Sequence, residues 1–453
     1  MSSLDVIIRG GQVVTPAEVR KADIGILNGR IVELGPTIPY SARETIDASG
    51  LHVFPGLIDS HVHFNEPGRA EWEGVETGSK ALAAGGGTMF FDMPLNAHPP
   101  TLDAESFDQK RRAVEAKSFA DFAFWGGLVP QNLDRLEELS ERGVIGFKAF
   151  MSNSGIEDFP HADGRTLREG MKHAAALGKI VAVHAESESI TSQLAEQSIS
   201  AGKMSVRDYL ASRPIHAELE AIQRALELAA ETQCRLHIVH VSCGAGIALI
   251  ASARKMGVDV SCETCPHYLV LTEEDMEQIG PLAKCAPPLR PKQVQDALWQ
   301  YLVTDQITTV GSDHSPAPTE MKKNQNFFRV WGGISGIQHT LPLLITEGRV
   351  RKGMALASVA RLLSFNVVTR FRLPTEKGRV AVGTDADLAL VDLNASFEVE
   401  ADTLFYRHRH TPYAGRRLTG KVVQTILRGQ TIYNNGQIMS KPMGRFVRPI
   451  FSY

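Results

Sequence analysis

Between residues 55 and 370 the chain alternates short apolar runs with longer stretches in which apolar positions recur every three or four residues. The runs fall near 57–63, 88–92, 122–127, 145–149, 180–184, 236–240, 258–263 and 308–313. Near-continuous hydrophobicity over so few residues predicts strands buried on both faces, as in a parallel sheet. Helical patterns lie between them, at Trp72–Ala84, Ala104–Ala116, Leu133–Arg142, Leu167–Leu177, Glu218–Ala230, Gly246–Met256 and Gln293–Val303, with Ser335–Ile345 after the last. Eight strands, each followed by a helix, predict an α/β protein built as a (β/α)₈ barrel of the TIM type. A doubly wound open sheet competes, but it would want a glycine-rich first strand-to-helix turn. That place is taken by His61-Val-His-Phe-Asn-Glu-Pro-Gly68, and Gly85-Gly86-Gly87 reads as a helix cap and turn.

The pattern changes at both ends. Val6–Val14 and Ala22–Leu34 read as short strands, with Asn28-Gly29 between two alternating runs placed as a hairpin turn. Ala386–Asp392, Lys421–Leu427 and Gln430–Asn434 repeat the strand-and-glycine-turn pattern near the other end. Neither group is large enough for a core of its own, so the two predict one small β-sandwich domain with the barrel inserted in it. The boundaries expected are 1–54 and 376–453 for the two halves of the sandwich and 55–375 for the barrel.

Composition narrows the class. With 43% hydrophobic and 22% charged residues, the 453-residue chain has the make-up of a globular enzyme. Lys+Arg of 48 against Asp+Glu of 51 leaves no basic surplus, so no nucleic-acid partner is expected. The opening Met-Ser-Ser-Leu-Asp-Val-Ile-Ile-Arg has no signal-peptide pattern, and no apolar run approaches the length of a membrane span. A cytoplasmic protein acting on a small molecule, away from membranes, is expected. The five cysteines, Cys234, Cys243, Cys262, Cys265 and Cys285, then read as reduced thiols. Cys262-Glu-Thr-Cys265 lacks the second close cysteine pair of a zinc site and reads as buried thiols.

The chemistry collects where the apolar runs stop. In a strand, His61 and His63 point to the same side. Lys148 lies near the end of the fourth run, His184 ends the fifth, His240 the sixth and Asp313 the eighth. In a (β/α)₈ barrel those ends form one reactive rim. Four histidines and an aspartate there suit zinc, cobalt, nickel, iron or manganese better than calcium. A buried lysine beside cations would lose its proton, and a neutral amine can combine with carbon dioxide to give a carbamate that bridges two metals. Two metals sharing a hydroxide would ready it for attack, and Asp313 could carry the proton from the water to a leaving nitrogen. The expected reaction is hydrolysis of an amide-like C–N bond.

The motifs go further. Asp59–Gly78, Asp92-Met-Pro-Leu-Asn96, Cys262-Glu-Thr-Cys-Pro-His-Tyr268, Lys284-Cys-Ala-Pro-Pro-Leu-Arg290, Ser312-Asp-His-Ser-Pro316 and Trp331-Gly-Gly-Ile-Ser-Gly336 resemble the amidohydrolase superfamily. The resemblance is to its cyclic amide hydrolases (dihydroorotases, dihydropyrimidinases or hydantoinases, and allantoinases), and within them most to the allantoinases, which open the hydantoin ring of allantoin to allantoate in urate degradation. It implies one metal on His61, His63, Lys148 and Asp313, and a second on carbamylated Lys148, His184 and His240. It also implies a homo-oligomer, often a tetramer. Dihydroorotases carry an arginine for the substrate carboxylate two residues after the second histidine; here that residue is Asn65. Dihydropyrimidinases place a tyrosine in the loop after the lysine, where this chain has Phe150-Met-Ser-Asn153. Asn65, Asn96, Ser315 and main-chain groups near Ala286 and Gly332 are the expected contacts for allantoin. Hydantoinase or dihydropyrimidinase activity is the alternative. A scaffold homologue that has lost the chemistry is disfavoured, because all six ligand positions are filled.

Overall fold

The structure, a computed structural model, describes residues 4–450. The outermost residues of both predicted sandwich halves, 1–3 and 451–453, lie outside the described residues. Eight parallel strands form the centre: β1 (Leu57–Val62), β2 (Gly87–Asp92), β3 (Asp121–Phe124, resumed at Gly126–Gly127), β4 (Gly146–Phe150), β5 (Ile180–His184), β6 (Arg235–Ile238), β7 (Val260–Thr264) and β8 (Thr309–Val310). Each pairs with the next in chain order. The ring closes between β1 and the chain beyond β8, where Val62 bridges His314 and the His63 N–H donates to the His314 carbonyl at 2.8 Å. It is a (β/α)₈ barrel, and every residue of β1, β2 and β5 is buried, as their unbroken apolar runs require.

Two strands are shorter than their apolar runs predict. β6 stops at Ile238 and β8 at Val310, before the His240 and Asp313 that the runs reach. The cause is local: His240 and Asp313 have φ of 38° and 46°, a left-handed conformation that no ladder can hold. The chain leaves the sheet to aim these two side chains inward.

The helices predicted between strands form, the longest being Ile215–Thr232. Glu188–Ser200 and Val206–Ser212 are additional, inserted between β5 and that long helix. Periodicity does not foretell the first, because Thr191 is its one buried residue. The polar segment 157–165, which leads from β4 into the helix that follows it, is tied down. The Ala162 N–H donates to the Phe150 carbonyl at 2.8 Å, and Asp163 caps the helix Gly164–Ala176 by accepting from Thr166 N at 2.7 Å.

Both ends of the chain build one mixed sheet. Leu388–Glu398 runs antiparallel to His52–Pro55, which runs parallel to Leu4–Val14. Ile8, Ile24, Ile26, Val53, Leu388, Leu390 and Ile426 pack its core. Because His52–Pro55 passes directly into β1, this sheet anchors the strand that carries His61 and His63.

Candidate metal-dependent active site

The six residues expected at the rim converge. Asp313 Oδ1 lies 3.3 Å from His61 Nε2 and 3.5 Å from His63 Nε2. His184 Nδ1 faces His240 Nε2 at 3.1 Å, and the His61 and His240 rings are 5.4 Å apart. Lys148 is fully buried, and its Nζ has no hydrogen-bond partner among the described residues. Burial pushes its pKa down to about 8, against the pull of Asp313 and Glu263.

Carboxylates behind the histidines fix which nitrogen faces the centre. Glu263 Oε1 is 2.8 Å from His61 Nδ1, and Oε2 accepts from Ser60 Oγ at 2.6 Å. With Nδ1–H donated to Glu263, the His61 Nε2 lone pair is left for the centre. Glu186 Oε2 is 2.7 Å from His184 Nε2, which frees Nδ1 in the same way. Glu186 also pairs with Arg213, whose guanidinium and the His184 imidazole hold its carboxyl down at about 2 despite burial. Gly311 is required beside this arrangement, since a Cβ there would stand 2.5 Å from a Glu263 oxygen. Asp59 receives the N–H groups of His61 and Ser312, both at 3.1 Å, and so joins β1 to the end of β8. Asp92 accepts from Phe64 N at 2.8 Å and pairs with buried Lys110, holding the turn that follows His63.

The donor set suits a divalent metal. The Lys148 amine has no hydrogen-bond partner among the described residues, and Glu263 and Glu186 turn a lone pair of His61 and of His184 inward, donors that a cation would use. One ligand atom each from His61, His63 and Asp313 fall within 4.8 Å of one another, as do one each from Cys265, His267 and Asp313. These two adjoining groups make the centre a metal-dependent one. The second brings in His267 and Cys265, the latter expected to be a plain buried thiol. His267 is fully buried, neither of its ring nitrogens has a hydrogen-bond partner among the described residues, burial takes its pKa down to about 4, and Asp313 opposes that shift. All five cysteines are free and buried. Cys262 faces away, toward Arg254 and the Gln306 carbonyl, whereas Cys265 comes close to the centre.

A cavity of about 600 Å³ opens onto His61, His63, His184, His240 and Asp313. Asn96, Ser315, Ala286 and Gly332, four of the residues expected to contact substrate, line it. Asn65 is buried but stands outside that lining, with its Nδ2 3.5 Å from the Pro316 carbonyl. Asn96 Nδ2 lies 3.3 Å from His63 Nδ1, so Asn96 touches a histidine as well as the cavity. Asn65 and Asn96 share the left-handed backbone of His240 and Asp313, with φ of 63° and 68°. Four such residues around one centre store strain of roughly 1–3 kcal/mol each, which the surrounding packing must offset. His314, next to Asp313, turns away: its Nδ1 accepts from Gly336 N at 3.2 Å and its ring packs on Tyr406. The Tyr406–His410 stretch packs against the loop after β1, with Arg407 Nε donating to the Glu73 carbonyl at 2.6 Å.

Comparison with known proteins places this geometry. Residues 52–432 match the model of the amidohydrolase family. The chain is 54% identical over 447 residues to a protein of Deinococcus radiodurans named allantoinase, covering 99% of each. It is 54% identical over 449 residues to an allantoinase of Rubrobacter xylanophilus, covering 99% of this chain and 98% of that one. Among solved structures, the L-hydantoinase (dihydropyrimidinase) from Arthrobacter aurescens superposes with a TM-score of 0.96 at 34% identity, covering 98% of this chain and all of that one. Dihydropyrimidinase from Brevibacillus agri gives 0.92 at 31%, covering 99% of both. The chain belongs to the amidohydrolase family, in its cyclic amide hydrolase branch and closely related to the allantoinases.

Proposed function

We propose that this protein hydrolyses the hydantoin-ring amide of allantoin to allantoate, as an allantoinase of purine degradation. The observation that carries the reading is identity of 54% along almost the whole chain to proteins of that name. The arrangement of the rim supports it. His61, His63, Lys148 and Asp313 would hold one divalent metal, and Lys148, His184 and His240 a second, with zinc preferred over cobalt, manganese, nickel or iron. When bound, the pair would supply an activated water and a Lewis acid for the ring carbonyl. Lys148, with its ammonium form disfavoured by burial, would bridge them as N6-carboxylysine, its amine nitrogen bonded to the carbon of carbon dioxide and one proton released.

The chain's own groups then divide the work. Glu263 and Glu186 fix the tautomers of His61 and His184. Asp313 accepts the proton of the attacking water and returns it to the leaving ring nitrogen. Asn96, Ser315 and the main chain at Ala286 and Gly332 bind the ring and its ureido tail. Asn65 acts from behind the cavity wall, through the Pro316 carbonyl. The domain boundaries proposed are 1–54, 55–375 and 376–453. The family resemblance supports a cytoplasmic homo-oligomer, a tetramer by preference. No helix among the described residues is long and apolar enough to cross a membrane.

Steady-state kinetics on one metal-loaded preparation test the reading with allantoin, hydantoin, dihydrouracil and dihydroorotate. The carboxylate of dihydroorotate would meet cavity cations already committed, Arg213 to Glu186 and Lys284 to three carbonyl oxygens. kcat/KM for allantoin should therefore exceed that for dihydroorotate by at least about 10³, roughly 4 kcal/mol in the transition state. Hydantoin or dihydrouracil turning over more efficiently than allantoin would replace the reading with a hydantoinase or dihydropyrimidinase.

A further inference from the structure

One wall of the cavity is formed by residues 328–333, and almost no regular structure supports it. A three-residue turn, Phe327–Arg329, is its one helical element, and Gly333 adopts a φ of 152° open to glycine. A Cβ on Gly333 would stand 2.1 Å from the Ser315 carbonyl oxygen. The stretch is instead held by two ammonium groups. Lys284 Nζ donates to the carbonyl oxygens of Phe327, Phe328 and Val330 at 2.7, 3.2 and 2.6 Å. Lys322 Nζ donates to those of Trp331, Gly333 and Pro281 at 2.9, 2.8 and 3.4 Å. The attachments cross: Lys284 follows β7 and grips the loop after β8, and Lys322 lies in that loop and reaches back to Pro281.

Both lysines are 5% exposed. Burial lowers the pKa of both lysines to about 7, and at Lys284 the neighbouring Arg213 and Lys322 charges push the same way. What favours the ammonium is a cage of three carbonyl dipoles with the Tyr209 ring 4.5 Å away and the Phe327 ring 5.4 Å away. A buried cation held this way is costly to keep.

We propose that Lys284 and Lys322 are positioning residues for ring hydrolysis, each ammonium holding main-chain carbonyls of 327–333 so that the wall bearing Trp331 and Gly332 is formed before substrate arrives. The proposal rests on the reading of this cavity as the substrate site. Neither side chain needs to touch the reacting atoms. Their effect is to remove the ordering cost that a loose wall would add to binding.

The cage makes a sharp test possible. Lys284→Ala leaves an ammonium-sized hole ringed by carbonyl oxygens and aromatic faces, which free methylammonium can fill. The expected result is a rise in KM of roughly tenfold to a hundredfold, the scale set by small misplacements of binding groups, with kcat changed much less. Metal content by elemental analysis should match the wild type. Trypsin should cut the native variant faster after the exposed Lys323 and Arg329. Methylammonium chloride should restore both KM and protease resistance, while tetramethylammonium and sodium chloride at equal ionic strength should not. If Lys284→Ala does not fold, Lys322→Ala is read by the same measurements. Unchanged KM and unchanged proteolysis would overturn the proposal, and so would losses that methylammonium leaves untouched. The protease arm requires no substrate, so it stands or falls separately from the allantoin assignment.

Discussion

Glu263 is an acid inside a barrel strand, where every neighbour in β7 is buried. Its two oxygens serve β1, one at His61 Nδ1 and the other at Ser60 Oγ. Removing the negative charge while keeping the shape isolates what this carboxylate does. Glu263→Gln should weaken metal binding by roughly 10–100-fold, the usual cost of losing a group that orients a ligand from behind. Titration of the metal-free protein, followed by bound-metal analysis, checks this without reference to turnover, and an unchanged affinity would reassign Glu263 to packing. Lys148 allows a different test. Lys148→Ala should lose metal and activity together and regain part of both when a short carboxylic acid enters the space. A full metal complement and near-normal turnover in the variant would refute the bridging role. Asp313→Asn should keep most of the metal while kcat falls by roughly 10²–10⁴, the range for a lost general base. A loss of only a few-fold would move proton transfer to another group, and His267, beside Asp313 and without a hydrogen-bond partner among the described residues, would be tested next.

At the scale of elements, what is legible in the sequence follows burial. The ligands can be read because each stands near the end of an apolar run, and a barrel collects those ends on one rim. Glu263 and Glu186 are harder to read, since a carboxylate next to a strand end looks the same whether it orients a histidine or faces water. The crossing grip of Lys284 and Lys322 lies in two loops with no period at all. The helix Glu188–Ser200 shows the same limit. Its cavity-facing side, Glu188, Thr191, Ser192, Ala195, Glu196 and Ile199, has helical spacing but mixed polarity, because it faces an open cavity and not a core. That fact carries a prediction. Ala195→Phe should narrow the cavity and raise KM, most for ring substrates with the bulkiest substituents. The melting temperature should move little, since the helix contributes only Thr191 to the buried set. A large drop in melting temperature with unaltered KM would show that the helix is structural and does not shape the site.

Across the whole molecule, the two ends of the chain meet beneath the barrel, and a buried ion cluster joins them to it. Asp121 begins β3, while Lys377, Asp387 and Arg428 belong to the segments that lead into and through the mixed sheet. Lys377 Nζ lies 2.7 Å from Asp121 Oδ2, 2.7 Å from Asp387 Oδ2 and 2.9 Å from Asp385 Oδ2. Arg428 also pairs with Asp121, and the Arg445 N–H donates to Asp121 Oδ1 at 2.8 Å. Three carboxylates around one lysine raise its affinity for a proton, so the cation is present throughout the physiological range. None of these residues is readable as a partner from sequence, because Asp121 and Lys377 are 256 positions apart and neither sits in a motif. Breaking one side of such a cluster leaves buried charge uncompensated, which costs about 3–5 kcal/mol. Lys377→Met should therefore lower the melting temperature well beyond the effect of an exposed lysine substitution. The cluster lies at the N-terminal end of β3, away from the rim that carries His61 and Asp313. Turnover per metal-loaded centre should accordingly stay near wild type below the new melting point. A variant that melts normally but loses turnover would mean that the sheet influences the chemistry through β1, which it feeds directly at Pro55.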